Sequence, residues 1–220
     1  MSSKIEKLEA PKIPEGLTAL VVSDYEWADE HEISDSIIQD GSIHNQSAYK
    51  ACFDRVVFAN VVFRGTSLRK AEFTDVRFEN CDLSNIDLSE SILHRVSFHN
   101  CKLLGMDITG STLRNVLFEQ CYADYVVLRF TNAKGVKFEK SSLAKADMSN
   151  MSLSNFYLNE VNIDQAQLSQ TKLGGIDLSS CEFGSLGVAL DDLRRCIISP
   201  AQAITFATIF GLVVNDGKQA

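Results

Sequence analysis

The chain has 220 residues and 45% hydrophobic content, too apolar for disorder and long enough for one extended domain or two small ones. Its formal charge of -8 argues against nucleic acid or an anionic membrane as partner, since both call for a basic surface. The N-terminus lacks the apolar core of a signal peptide, the longest apolar run (203–214) is too short to span a bilayer, and six cysteines without CxxC spacing predict no zinc site; a cytoplasmic protein with reduced thiols is expected.

Residues 1–30 are non-repetitive and read as an N-terminal cap. Pro11, Pro14 and Gly16 mark a turn-rich entry, and Leu17-Thr18-Ala19-Leu20-Val21-Val22 predicts a short strand or plug at this end of the molecule. Acids concentrate at this end, with ten Asp and Glu against three Lys in residues 1–47.

A beat of five starts at Ile33, Ile38 and Ile43, slips at Ala48, and is firm from Phe53. From there to Phe183 every fifth residue is Leu, Phe, Ile or Met, except Ala123 and Ala133, and Val188, Leu193 and Ile198 continue it. Calling these positions i, small or medium groups recur at i−2, as in Ala71, Val76, Cys81 and Ile86, while i−1, i+1 and i+2 are mostly polar. Alternation within each pentad puts i−2 and i on one side of a short extended segment, with the others facing water or turning a corner.

A second period is nested in the first. Val76-Arg77-Phe78, Val96-Ser97-Phe98 and Val116-Leu117-Phe118 start twenty residues apart, so four pentads make one coil of a solenoid over 31–198. A helix is excluded, since five residues advance about 500° and sweep the apolar stripe around it. A hexapeptide β-helix is excluded by its beat of six. Stacked coils turn equivalent positions into ladders: Phe58, Phe78, Phe98, Phe118 and Phe138 on one face, and Cys81, Cys101 and Cys121 on the next. Three aligned thiols facing an apolar column read as small core hydrophobes.

No proline or glycine-rich insertion interrupts the beat, so the shaft is expected to lack projecting loops. Its irregular place is 121–133. Tyr122, Tyr125 and Phe130 fall on outward positions beside Arg129, either covering space left by Ala123 and Ala133 or forming an exposed docking patch. Residues 199–220 form a closing module. Ser199-Pro200 is an N-cap with proline at N1 and Gly211 a C′ residue. The helix between is apolar except for a narrow stripe of Gln202, Thr205 and Thr208, and Leu212-Val213-Val214 predicts a strand. A helix this apolar predicts a homodimer interface of Ile204, Phe206, Ala207, Ile209, Phe210, Leu212 and Val214.

The pentads Ala71-Glu72-Phe73, Cys81-Asp82-Leu83, Ile86-Asp87-Leu88, Ala146-Asp147-Met148 and Ile176-Asp177-Leu178 resemble the Ala-Asp/Asn-Leu-x-x consensus of the pentapeptide-repeat family. The resemblance implies an all-β solenoid, a right-handed quadrilateral β-helix with 20 residues per coil, closed here by a short C-terminal α-helix and strand for dimerisation. Cys121-x-Ala123-Asp124-Tyr125 with Arg129-Phe130, and the phrase from Ile198 to Val214, are similar to the central region and dimer module of Qnr-type members. That likeness implies a DNA-mimicking protein that binds bacterial type II topoisomerases, gyrase and topoisomerase IV, and protects them from fluoroquinolones. Many Qnr-type proteins carry loops that break the coil; this sequence has none in register.

The charges bear on that implication. About eight coils at roughly 4.8 Å give a rod of roughly 40 Å, on which the net charge amounts to about one per 5 Å, sparse beside duplex DNA. The face carrying the phenylalanines holds Asp40, Glu79, Glu119, Glu139, Glu160 and Asp177 against Arg77, Lys137 and Lys140, and is expected to meet the partner. A net basic face with Arg55, Arg95, Arg114, Lys134, Lys172, Arg194 and Arg195 is placed two corners away. His31, His44, His94 and His99 have no nucleophile or paired acid at catalytic spacing, so neither an enzyme nor a cofactor is expected. The alternative to a topoisomerase ligand is a cytosolic scaffold that binds another protein through its faces or the 121–133 aromatics.

Overall fold

The computed structural model describes residues 8–21 and 27–215. Val22 of the anticipated strand, and Glu6, Asp24 and Glu26 of the acidic end, lie outside the described residues, as do 1–7 and 216–220. Among the described residues, one parallel sheet runs in strict chain order through β1 (Thr18–Leu20), β2 (Glu32–His44), β3 (Cys52–Arg64), β4 (Glu72–Glu79), β5 (Ile92–His99), β6 (Thr112–Glu119), β7 (Asn132–Glu139) and β8 (Ser152–Asn159). The register advances by twenty at each step: Phe78 pairs with Phe98, Phe98 with Phe118, Phe118 with Phe138.

Each coil has four faces, named here from residues 91–110: the basic face (91–95), the Phe face (96–100), the Cys face (101–105) and the fourth face (106–110). The strands from β4 to β8 each cover the basic and Phe faces together, whereas the other two faces bond their neighbours through single bridges such as Asp82 to Lys102 and Asp87 to Asp107. The basic and Phe faces therefore meet at one corner, which corrects their expected separation by two.

The corners explain the fifth residue of the repeat. Positions i+2 adopt left-handed backbone, as at Asn80 (φ 53°), Asn85 (φ 57°), Arg95 (φ 52°) and Gly110 (φ 68°). Asparagine and glycine tolerate this region best, and the sequence places them there often. At the corner between the Phe and Cys faces the asparagines also tie coils together, Asn100 Nδ2 donating to Asn80 Oδ1 (2.8 Å) and Asn60 Nδ2 to Asp40 Oδ1 (2.8 Å).

Inside, the i and i−2 side chains fill a dry column. Phe78 stacks on Phe98 at 4.7 Å, Phe98 on Phe118 at 4.8 Å and Phe118 on Phe138 at 4.3 Å, near the inter-coil spacing. The ladder ends where Phe156 occupies i−2 and Leu158 takes i; the Phe138–Phe156 pair is tilted at 6.0 Å. Cys81, Cys101 and Cys121 are buried in the adjoining ladder. The Cys81 and Cys101 thiols are pushed up by the next thiol in the ladder and by burial, and burial pushes Cys181 up to about 12, so these act as small packed groups.

The N-terminal end is closed by a residue the repeat does not announce. Trp27 is buried, with its ring 5.4, 6.5 and 6.2 Å from Phe53, Phe58 and Phe63. It supplies bulk in the coil where Ala48 breaks the beat. At the other end α1 (Pro200–Ile209) begins with a capping box: Ser199 Oγ accepts from Gln202 N (3.2 Å), and Gln202 Oε1 accepts from Ser199 N (2.9 Å). Two expectations for this module are overturned. Gln202 does not belong to an outer polar stripe; it is buried, and its Nε2 donates to Leu178 O (2.7 Å) and Cys181 O (2.8 Å), pinning the helix to carbonyls the last coil leaves open. Leu212-Val213-Val214 is not a strand within the chain; it leaves the helix as exposed coil.

Phe98 has the packing of a full column on every side, so Phe98→Ala is expected to cost about 3–5 kcal/mol in denaturant unfolding. Phe130→Ala, at an exposed corner, is expected to stay within about 0.5 kcal/mol.

Candidate docking surfaces

Three of the acids expected to make the Phe face electronegative are paired with basic or histidine side chains on that face. Arg77 Nη1 lies 3.2 Å from Glu79 Oε1, His99 Nδ1 lies 2.9 Å from Glu119 Oε2, and Lys137 pairs with Glu139, whose carboxyl it holds below the usual range. Arg77–Glu79 and Lys137–Glu139 join i−1 to i+1 within one coil, whereas His99–Glu119 joins the i+1 positions of successive coils. Glu160 and Asp177 are exposed beyond these pairs; Asp177 accepts from Ser179 N (2.8 Å), and Glu160 has no ion pair among the described residues.

Tyr122, Tyr125 and Phe130 are 67%, 52% and 60% exposed, while Ala123 and Ala133 are buried, so the aromatics do not cover space above the alanines. They form a belt around one coil. Tyr122 stands on the Cys face, Tyr125 turns the next corner (φ 60°), and Phe130 turns the one after (φ 58°), with Arg129 beside it 3.7 Å from Asp147. Lys145 fixes Tyr125 from the coil above, its Nζ 3.0 Å from the phenol oxygen and 5.2 Å from the ring centre. An open recess of about 670 Å³ at the corner of the Phe and Cys faces brings Tyr122 and Glu160 together, with Gln120, Lys140 and Asn162 between them.

The C-terminal end is apolar and open. Leu190, Ile197, Ile204, Phe210, Leu212, Val213 and Val214 are exposed around a cleft of about 390 Å³ floored by Leu193, Ile198 and Phe206. Phe206 is itself buried, 5.3 Å from Phe183, and Ile209 packs partly on the core; these two seat the helix, while Ile204, Phe210, Leu212 and Val214 face outward and Ala207 is half-buried.

A third surface was not anticipated from the sequence. Residues 8–13 do not stop at the end of the shaft but run along its side, over the corner shared by the basic and Phe faces. A Cβ added at Gly135 would lie 3.7 Å from Leu8 Cδ2, and Lys12 N donates to Asp75 Oδ1 at 2.8 Å. Those contacts are three coils apart, about 14 Å, and four extended residues reach about 13–14 Å, so this segment lies straight along the axis. Val57 and Ser97, at outward i−1 positions, are buried on its course instead of facing water. A trace existed in the sequence: Ile37, Val57 and Leu117 put apolar groups at outward positions of the Phe face.

Asp75 anchors the segment. Its burial pushes the carboxyl up, but Arg95, bonding both oxygens at 2.6 Å, and the Lys12 N–H together leave it below the ordinary value. Among the described residues no three His, Cys, Asp or Glu side chains converge as a metal site, and no helix is long and apolar enough to cross a membrane.

Comparison with known proteins places the repeat in a family. A pentapeptide repeat region matches residues 91–168, and a nine-copy pentapeptide-repeat pattern matches 53–102. No curated protein matches the chain in sequence. Among solved structures, a trypsin-treated form of QnrB1, a plasmid-mediated fluoroquinolone resistance protein, is 16% identical with a TM-score of 0.39, over 91% of this chain and 100% of that one. HetL, a pentapeptide repeat protein involved in heterocyst differentiation regulation from the cyanobacterium Nostoc, is 16% identical with a TM-score of 0.34, over 74% and 86%. A pentapeptide repeat protein from the Arabidopsis thaliana thylakoid lumen is 19% identical with a TM-score of 0.34, over 52% and 68%.

A folded pKa below the unfolded one makes Asp75 stabilising above the unfolded value, and that contribution is lost as pH falls through the folded one. The stability gap between wild type and Asp75→Asn is therefore expected to be full near about pH 6 and to shrink below about pH 4 in denaturant titrations. With the two matched stretches together spanning more than half of its length, and its coils built on a beat of five, this chain belongs to the pentapeptide-repeat family.

Proposed function

We propose that the chain is a non-enzymatic docking rod of the cytoplasm, homodimeric through its C-terminal end, that binds a bacterial type II topoisomerase and shields it from fluoroquinolones. The observation that carries the docking role is the apolar end around Ile204, Phe210 and Leu212, left open on a shaft whose interior is filled. In this reading 1–30 cap the shaft, 31–198 present its faces and 199–220 join two copies. The topoisomerase, gyrase or topoisomerase IV, rests on the Qnr-type resemblance of Cys121–Phe130 and Ile198–Val214. Because Glu79, Glu119 and Glu139 are paired on the surface, mimicry of DNA by charge falls mainly to Glu160 and Asp177.

A supercoiling assay with purified gyrase and a quinolone tests the proposal. Added protein is expected to restore supercoiling in the presence of drug, less so at raised salt. Glu160→Lys with Asp177→Lys is expected to weaken the effect. Unchanged drug sensitivity at protein in excess over gyrase removes the protection reading. Leu212→Glu with Phe210→Glu is expected to give monomers by light scattering with the shaft still folded by circular dichroism; a dimer that persists places the interface elsewhere.

A second reading, a scaffold for another cytosolic protein, is favoured by Tyr125 and Phe130. Both hold bulky rings in left-handed backbone, which costs an L-residue about 1–2 kcal/mol. Tyr125→Gly and Phe130→Gly are expected to leave stability unchanged or raise it by up to about 1 kcal/mol while abolishing capture of such a partner and sparing gyrase protection. Loss of stability in both variants would mean the rings are structural.

A further inference from the structure

The geometry points to the corner between the basic and Phe faces as a docking groove for an extended, acidic segment of a partner protein, kept masked by the chain's own residues 8–13. This is independent of the topoisomerase reading and needs none of its residues beyond the shaft itself.

The resident segment displays how the groove recognises a chain. Its backbone is read by a buried carboxylate, Asp75, which accepts the Lys12 N–H while Arg95 holds it in place. Its acid shares a notch with basic side chains: Glu9 lines it together with Arg114 and Lys134, without a direct ion pair among the described residues. Arg114 donates to the carbonyls of Leu113 and Asn132 and has no acid partner among the described residues, and Lys134 has no pairing contact there either. Charge complementarity thus selects an acidic side chain. The half-buried Leu8, Pro11 and Ile13 supply the apolar contacts.

The resident is also an imperfect fit. A cleft of about 370 Å³ lies beside Leu8 and Pro11, and Ser97 Oγ, in a side chain 2% exposed, lines it as the one described buried side-chain nitrogen or oxygen that makes no hydrogen bond within the chain. Burying an unpartnered hydroxyl opposes docking. An occupant that fills the cleft and bonds Ser97 would hold the groove better than residues 8–13 do, so the resident is displaceable by competition.

Fluorescence anisotropy with a labelled peptide of residues 8–16 tests this on the full chain. Wild type is compared with Lys12→Pro, which deletes the N–H that Asp75 accepts and loosens the resident; Lys12 is exposed, so the shaft is untouched. The peptide is expected to bind Lys12→Pro at least about tenfold more tightly than wild type. Adding Lys134→Glu, or changing Glu9→Lys in the peptide, is expected to cost about tenfold, and Ser97→Ala to tighten binding by about fivefold. No binding to Lys12→Pro, equal binding to wild type, or indifference to both charge reversals overturns the groove. Concentration-dependent growth beyond the wild-type assembly in Lys12→Pro, lost when residue 9 is reversed, would identify the occupant as a second copy and overturn the assignment to a separate partner.

Discussion

A face of five residues is too short to satisfy its own backbone, and everything in this molecule depends on where those hydrogen bonds go. They go to the next coil: Lys102 N donates to Cys81 O at 2.9 Å, and Tyr122 N to Cys101 O at 3.0 Å. Coils must then repeat at one spacing, and the spacing that suits amides also suits aromatic rings, so a phenylalanine at the same place in each coil stacks without adjustment. The backbone lattice and the side-chain ladder reinforce each other. The cost is paid at the corners, where one residue in five must turn left-handed, which is why asparagine and glycine punctuate the repeat. Both ends of such a lattice leave backbone groups open. Trp27 with β1 closes one, and Gln202, reaching two carbonyls of the last coil, closes part of the other.

What the sequence disclosed and what it concealed divide along the same line. The column from Phe53 onward, the Cys ladder, the outward aromatics and the caps of α1 are all local or periodic, and each could be read from spacing. Trp27 and residues 8–13 belong to no period. Their places are set by long-range contacts, one filling the gap at Ala48 and the other laid across three coils, and a chain read in order offers only indirect marks of either. Gln202 misled for a related reason. A glutamine among apolar residues reads as the wet side of a helix, yet its amide supplies a long flexible donor that the unfinished end of a β-solenoid requires.

Charge shows how a regular lattice transforms composition. The net charge counts Glu79, Glu119 and Glu139 at full value, but on the same outward face Arg77 and Lys137 stand two residues before Glu79 and Glu139, and His99 meets Glu119 from the preceding coil. Exposed pairs of this kind contribute little to stability, at most about 1 kcal/mol each; their effect is on the field that an approaching partner meets. A smooth electronegative stripe becomes a checkerboard, with acids lacking an ion pair among the described residues at Asp40 near one end and at Glu160 and Asp177 toward the other. The basic face adjoining it along one corner shortens the field further, and the segment led by Glu9 lies along that very corner.

The scaffold proposal rests on the aromatic belt and not on these acids. In the corner column below Tyr125 stand Gly65, Asn85 and Gly105, each suited to left-handed backbone. Tyr125 departs from them but recovers something through Lys145, which bonds its hydroxyl and lies over its ring. Phe130 has no such compensation: its ring meets neither a cation nor another ring among the described residues, and it is more exposed than Tyr125. The corner is left-handed whatever residue stands there, so the fold itself does not call for a ring at it. In the scaffold proposal the ring is used by a contact outside the chain, reached at the corner between the fourth and basic faces, on the side away from the acids at Glu160 and Asp177.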